Sequence, residues 1–125
     1  MDNRTTIALI SHDGKKADMV AFAMEFREVL ERYELIATNT TGKLLRDKVG
    51  LSVQLMLSGP IGGDAQIAAQ VAEGKIEAVF FFIDPLGQHP HDPDIATLLR
   101  ICNVHDVPIA SNPATAAYII SDKAL

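Results

Sequence analysis

Residue types suited to proton transfer and anion binding gather in a few short segments. The densest is Asp84-Pro85-Leu86-Gly87-Gln88-His89-Pro90-His91-Asp92-Pro93-Asp94, with two histidines, three carboxylates and three prolines. Prolines reduce the conformations a loop must give up, so such a loop can present acid–base groups accurately. In Ser58-Gly59-Pro60-Ile61-Gly62-Gly63-Asp64, three glycines and a proline predict backbone that approaches something closely or takes positive φ. Asp64 is there either a helix N-cap or a general base. A helix N-terminus would weaken it as a base, and burial against a substrate would act the other way. Thr38-Asn39-Thr40-Thr41-Gly42 offers hydroxyls and free N–H groups, an anion site if a helix begins there. Thr40 or Thr41 would also serve as a plain N-cap. His12-Asp13 is followed by Lys15 and Lys16, either of which meets a phosphate as a point charge or is simply solvated.

The elements that must position these groups alternate in type. Residues 5–11, 33–38, 53–57, 78–83 and 107–110 read as strands. They are short, apolar and rich in β-branched residues. Between and after them, residues 15–32, 41–49, 61–73, 93–104 and 113–120 read as helices. In the first helix Met19, Phe22, Ala23, Phe26, Val29 and Leu30 share one face, and Gly50 and Gly74 end the second and third. Asp92 ahead of Pro93 suits a helix start. Alternating β and α with short links predicts an α/β, doubly wound, mostly parallel five-stranded sheet in a single domain over residues 1–125. Ligands of such sheets bind at the carboxyl ends of the strands. Every chemistry-bearing segment above follows a strand, as does Ser111-Asn112. Lys75, Glu77 and Asp106 fall at the opposite ends and read as ordinary surface.

Composition narrows the class further. The chain has 125 residues and a net charge of −5, with 48% hydrophobic and 22% charged residues, so one ordered globular domain is expected. An acidic chain with no basic cluster is a poor partner for nucleic acid or an anionic membrane. The apolar run from Ile7 to Ile10 is too short for a signal peptide, and that from Ala78 to Ile83 too short to cross a bilayer. Cys102 is the single cysteine, which rules out an intrachain disulfide and suits a reducing cytoplasm. It reads as a core residue, and His105 as surface. His89, His91 and Asp94 are metal-ligand types, but no ordered ligand motif such as H-E-x-x-H is present. No metal is therefore assigned.

In order and spacing these segments resemble the methylglyoxal synthase family over essentially the whole chain. The resemblance rests on His12-Asp13 with Lys16, Thr38-Asn39-Thr40-Thr41-Gly42, Leu57-Ser58-Gly59-Pro60-Ile61-Gly62-Gly63-Asp64, Phe82-Ile83-Asp84-Pro85-Leu86, Pro90-His91-Asp92-Pro93-Asp94 and Ser111-Asn112-Pro113-Ala114-Thr115-Ala116. It implies a three-layer Rossmann-like domain and a cytoplasmic, cofactor-free homohexameric lyase. The reaction implied is a glycolytic bypass, conversion of dihydroxyacetone phosphate to methylglyoxal and phosphate. Phosphate is implied as product and as a candidate allosteric inhibitor. By matching positions, Asp64 is implied as the base and His91 as the group polarising the substrate oxygens, with Asp94 and Asp84 in support. His12 and Asp13 are implied as substrate contacts. Lys16, preferred to Lys15, joins Thr38, Thr40, Thr41, Ser58 and Gly59 on the phosphate. Asn39 stands where the family commonly has Gly, and its tolerance of positive φ would preserve the turn. No arginine follows Arg100, a departure from those members in which a basic residue of the C-terminal tail approaches a neighbouring subunit's site. The alternative is a regulatory module of the same fold, which would keep the threonine site without needing Asp64 and His91 together.

Overall fold

The computed structural model describes residues 5–87 and 92–121, apart from the side chains of Pro60 and residues 92–94. Five strands form one sheet: β1 (Thr6–Ser11), β2 (Glu34–Ala37), β3 (Gln54–Leu55), β4 (Ala78–Phe82) and β5 (Ile109–Ala110). Their order is β3-β2-β1-β4-β5, and every pairing is parallel. The expected sheet is therefore wholly parallel. The central pair is the longest: β1 runs beside β4 from Ile7↔Ala78 to Ser11↔Phe82. The all-apolar sequence of β4 matches this position, since a strand covered on both faces must be buried throughout.

The chain winds from β1 outward to β3, then crosses back to β4 and β5, so helices cover both faces. On one face lie α1 (Lys16–Glu25), α2 (Arg27–Leu30), α3 (Asn39–Leu44) and α6 (Pro113–Ile120). Met19, Phe22, Leu30, Leu45 and Ala116 pack there against Ile7, Leu9, Phe80 and Phe82. On the other face, α4 (Gly63–Ala72) and α5 (Asp92–Val104) set Ile67, Val71, Leu98 and Cys102 against Ala8, Ile10, Val79 and Phe81. Alternate residues of β1 and β4 thus serve two separate cores, as strand geometry requires.

Three helices depart in shape from the sequence expectation, and β3 and β5 are shorter than the strands expected over residues 53–57 and 107–110. The helix expected over residues 15–32 bends at Phe26, whose φ and ψ are −108° and 25°. Its hydrogen bonds run on through the bend, from Phe26 N to Phe22 O and from Leu30 N to Phe26 O. Arg27 then reaches across to donate from Nε to Val49 O at 2.9 Å. The second helix starts earlier, at Asn39, and widens into a π turn over Leu45–Val49 that ends at Gly50 with φ 78°. The third begins with a 3-10 turn, Gly59–Ile61, and turns α-helical only at Gly63. Among the described residues, no helix is long and apolar enough to cross a membrane.

Candidate active site

The strand order reverses direction between β1 and β4, and a crevice opens at such a switch point beyond the strand ends. His12 follows β1 directly and is buried, 5% exposed. Its backbone N–H donates to Phe82 O at 3.1 Å, extending the pairing with β4 by one residue. Its ring meets Phe81 edge-on, with centroids 5.2 Å apart. The N–H of Asp84 donates to His12 Nδ1 at 2.9 Å. With Nδ1 accepting, the neutral imidazole holds its proton on Nε2 and is a donor there. Asp84 closes its own turn by accepting Leu86 N–H at Oδ1, 3.0 Å away. Its other carboxylate oxygen lies so near Gly14 that a Cβ at that position would collide with it. The β1 and β4 ends are therefore locked together through His12, Gly14 and Asp84.

Asp64 is the second residue of α4 and is 3% exposed. The N-cap alternative for it is not what forms. Gly62, at φ 112°, takes the cap position, and Asp64 is carried into the first turn. An L-residue resists that φ, which is why a glycine precedes the carboxylate. Two further contacts define its setting. A Cβ on Gly59 would stand 3.5 Å from Asp64 Oδ2, and a Cβ on Gly63 would collide with the Leu57 carbonyl and reach Thr38 Cγ2 at 3.0 Å. The glycines bring the β3 loop, the end of β2 and the start of α4 together around one buried carboxylate. The loop is braced by Gly63 N–H donating to Ser58 O at 2.9 Å and by Leu57 N–H donating to Gln66 Oε1 at 2.7 Å. Gln66 drew no attention in the sequence, because an exposed helical glutamine gives no signal of a contact nine residues back.

Of the anion-type residues, Lys16 and Thr41 belong to α1 and α3 on the opposite face of the sheet, whereas Thr38 at the end of β2 and Gly59 lie beside the start of α4. Thr38 is buried at the N-cap position of α3, with no side-chain cap hydrogen bond. The N-cap alternative for Thr40 and Thr41 does not hold either, since both lie within the helix. Thr40 is exposed. Thr41 is 1% exposed and shares a 3.0 Å hydrogen bond with the Ser11 hydroxyl. Asn39 needs no positive φ: among the described non-glycine residues only Asp106 has one. It is the first residue of α3, so the family's glycine is not demanded by the backbone. Lys16 Nζ donates to Ser11 O at 3.0 Å and pairs with Asp13 Oδ1 at 3.1 Å. Lys15 instead faces Asp18 at 3.9 Å. Asp13 is fully exposed apart from the Lys16 pair.

The last strand–loop is ordered by its own cap. Asn112 Oδ1 accepts Thr115 N–H at 2.9 Å, and Ser111 O accepts Ile83 N–H at 3.1 Å. His89 and His91 lie outside the described residues. Asp94 lies in the first turn of α5, on the same face of the sheet as α4 and His12, and its side chain is likewise outside the description. Among the described residues, no group of three or more His, Cys, Asp or Glu could hold a metal ion. Cys102 is fully buried, and burial pushes its thiol up from 9.0 to about 11. His105 is exposed at the far end of the sheet.

Residues 18–111 match the family described as MGS-like domain, a span that includes Asp64 and Asp94 but begins after Lys16. Methylglyoxal synthase of Ralstonia nicotianae is 56% identical over 120 residues, covering 96% of this chain and 89% of that protein. Methylglyoxal synthase of Thermus thermophilus is 53% identical over 115 residues, covering 92% and 91%. The crystal structure of methylglyoxal synthase from Elizabethkingia anophelis superposes with a TM-score of 0.90 at 43% identity. It covers 95% of this chain and 78% of that one.

Proposed function

The chain belongs to the methylglyoxal synthase family, and from that membership we propose that it converts dihydroxyacetone phosphate to methylglyoxal and inorganic phosphate. The observation that carries this reading is the Asp64 carboxylate, buried to 3% exposure against Gly59 at the strand carboxyl ends. A carboxylate withdrawn from water beside a glycine-lined approach suits removal of a carbon-bound proton.

In the proposed sequence Asp64 takes a proton from the hydroxymethyl carbon next to the ketone. The C–H electrons form the enediolate double bond. His91 polarises the two substrate oxygens and moves the proton between them, with Asp94 and Asp84 supporting that centre. His12 contacts substrate as a neutral donor through Nε2, consistent with its Nδ1 being taken by Asp84 N–H. The enediolate electrons then expel phosphate by breaking its C–O bond, the proton held by Asp64 passes to the departing phosphate, and the resulting enol becomes methylglyoxal as its hydroxyl proton moves to the methylene carbon. Lys16, Thr38, Thr40, Thr41, Ser58 and Gly59 hold the departing charge, and Asp13 keeps Lys16 in place through their ion pair. No step calls for a cofactor. A cytoplasmic homohexamer regulated by phosphate completes the proposal.

The test is incubation of the folded protein with dihydroxyacetone phosphate, following phosphate and methylglyoxal together in equal amounts, with and without a strong chelator. Stoichiometric release of both, unchanged by the chelator, is expected. Absence of product, or tight substrate binding without turnover, would overturn it in favour of a binding module.

A further inference from the structure

We propose that Ser11 is a positioning residue for the phosphate end of the site, holding two of its groups in register from a single point. The inference rests on the phosphate assignment of Lys16 and the Thr38–Thr41 turn given above. Ser11 is the last residue of β1 and is 6% exposed. Its carbonyl takes Lys16 Nζ at 3.0 Å, and its hydroxyl pairs with Thr41 Oγ1 at 3.0 Å. The first contact fixes an ammonium carried by α1. The second fixes the first turn of α3, thirty positions along the chain. Both contacts meet at one residue, in addition to the direct packing of α1 against α3.

The burial of the hydroxyl pair gives the link its strength. Thr41 is 1% exposed, so water competes poorly for either hydroxyl, and a lost partner would be missed. Direction matters as well. Each hydroxyl has one proton, and either can be the donor. When Ser11 donates to Thr41 Oγ1, the Thr41 proton is released to point elsewhere, and a bonded chain of this kind polarises its outer donor. An anion near the turn would favour that direction. Alanine at position 11 would keep the carbonyl contact with Lys16 and remove only the hydroxyl, which isolates the claim.

The experiment compares Ser11→Ala, Thr41→Val, the double variant and Lys16→Ala, measuring the dissociation constant of inorganic phosphate, KM, kcat and Tm. Ser11→Ala is expected to weaken phosphate binding and raise KM about fivefold, the scale of one neutral hydrogen bond. It should add nothing further in the Thr41→Val background, because the pair acts as a unit. Ser11→Thr, which keeps the hydroxyl, should restore affinity. A fall in Tm with phosphate affinity unchanged would overturn the proposal as a merely structural role, as would equal losses in both backgrounds. If Lys16→Ala weakens phosphate binding and Ser11→Ala does not, the positioning role alone fails. If neither Lys16→Ala nor Thr41→Val changes it, the phosphate assignment fails and takes the proposal with it.

Discussion

The backbone N–H of Asp84 donates to His12 Nδ1 at 2.9 Å, joining residues 72 positions apart. His12→Ala would leave that partly buried donor without its acceptor and is expected to cost about 1–2 kcal/mol. Asparagine can put its amide oxygen where Nδ1 stands, so His12→Asn should recover most of the stability while remaining poorly active. Urea unfolding of the two variants checks the first claim and phosphate release the second. Equal instability of both would show that the Asp84 contact is not what His12 contributes to folding. Nitrogen NMR at neutral pH should find the imidazole proton on Nε2.

Asp64→Asn keeps the shape of the side chain and removes its basicity. Turnover is expected to drop by about 10²–10⁴-fold, the usual worth of a positioned general base, with the fold retained by circular dichroism. Full activity in this variant would mean that another group takes the proton. His91→Gln should weaken both kcat and the binding of an enediolate analogue. No change in either would remove His91 from the assigned machinery.

Gly63 and Gly74 should respond differently to alanine. At Gly63 the added Cβ meets the Leu57 carbonyl, a backbone atom that cannot step aside. A loss of about 1–3 kcal/mol is expected, together with lost activity, because Asp64 is the next residue. At Gly74, φ is 76° and nothing lies within 4 Å of the added atom. The cost there is the left-handed backbone alone, about 1–2 kcal/mol, with activity unchanged. A Gly63→Ala enzyme of normal activity would contradict the tight packing seen around Asp64.

Burial holds the Cys102 thiol at about 11, above its ordinary 9.0. Between those values the unfolded chain has lost its thiol proton and the folded chain keeps it. Stability from this group is therefore intact below pH 9 and declines as pH rises toward 11. Cys102→Ala should flatten that part of the stability profile. A soluble alkylating reagent at pH 8 should leave the folded protein unmodified and label it once in urea, and rapid labelling without urea would show that α5 opens readily.

The alternation of strand and helix was legible because β4 is apolar along its whole length and the chemistry-bearing segments each follow a strand. The order β3-β2-β1-β4-β5 was not legible, since pairing depends on contacts between distant segments that no local pattern records. Local pattern also left Asp64 undecided between N-cap and base. An aspartate at the start of a helix suits an N-cap, but Gly62 takes that position at φ 112° and moves the carboxylate inward. Ser11 was visible only as a polar residue at a strand end. Its pairing with Thr41 spans the β1–α3 separation and appears only when the sheet is formed. The different settings of the two lysines were not legible either: after the turn Asp13–Lys15, Lys16 reaches Ser11 while Lys15 faces Asp18.

Ser11 and His12 are adjacent in the chain yet serve opposite sides of the sheet, one toward Thr41 and the other toward Phe81. Strand parity enforces this division. Insertion or deletion of a single residue within β1 would exchange the two sides, sending the imidazole toward α3 and the hydroxyl toward α4, and would turn Ile7 and Leu9 into the wrong core. The length of this strand is thus under a stricter constraint than the identity of most of its residues. Substitutions along β1 can be absorbed by repacking, but a change in its residue count cannot.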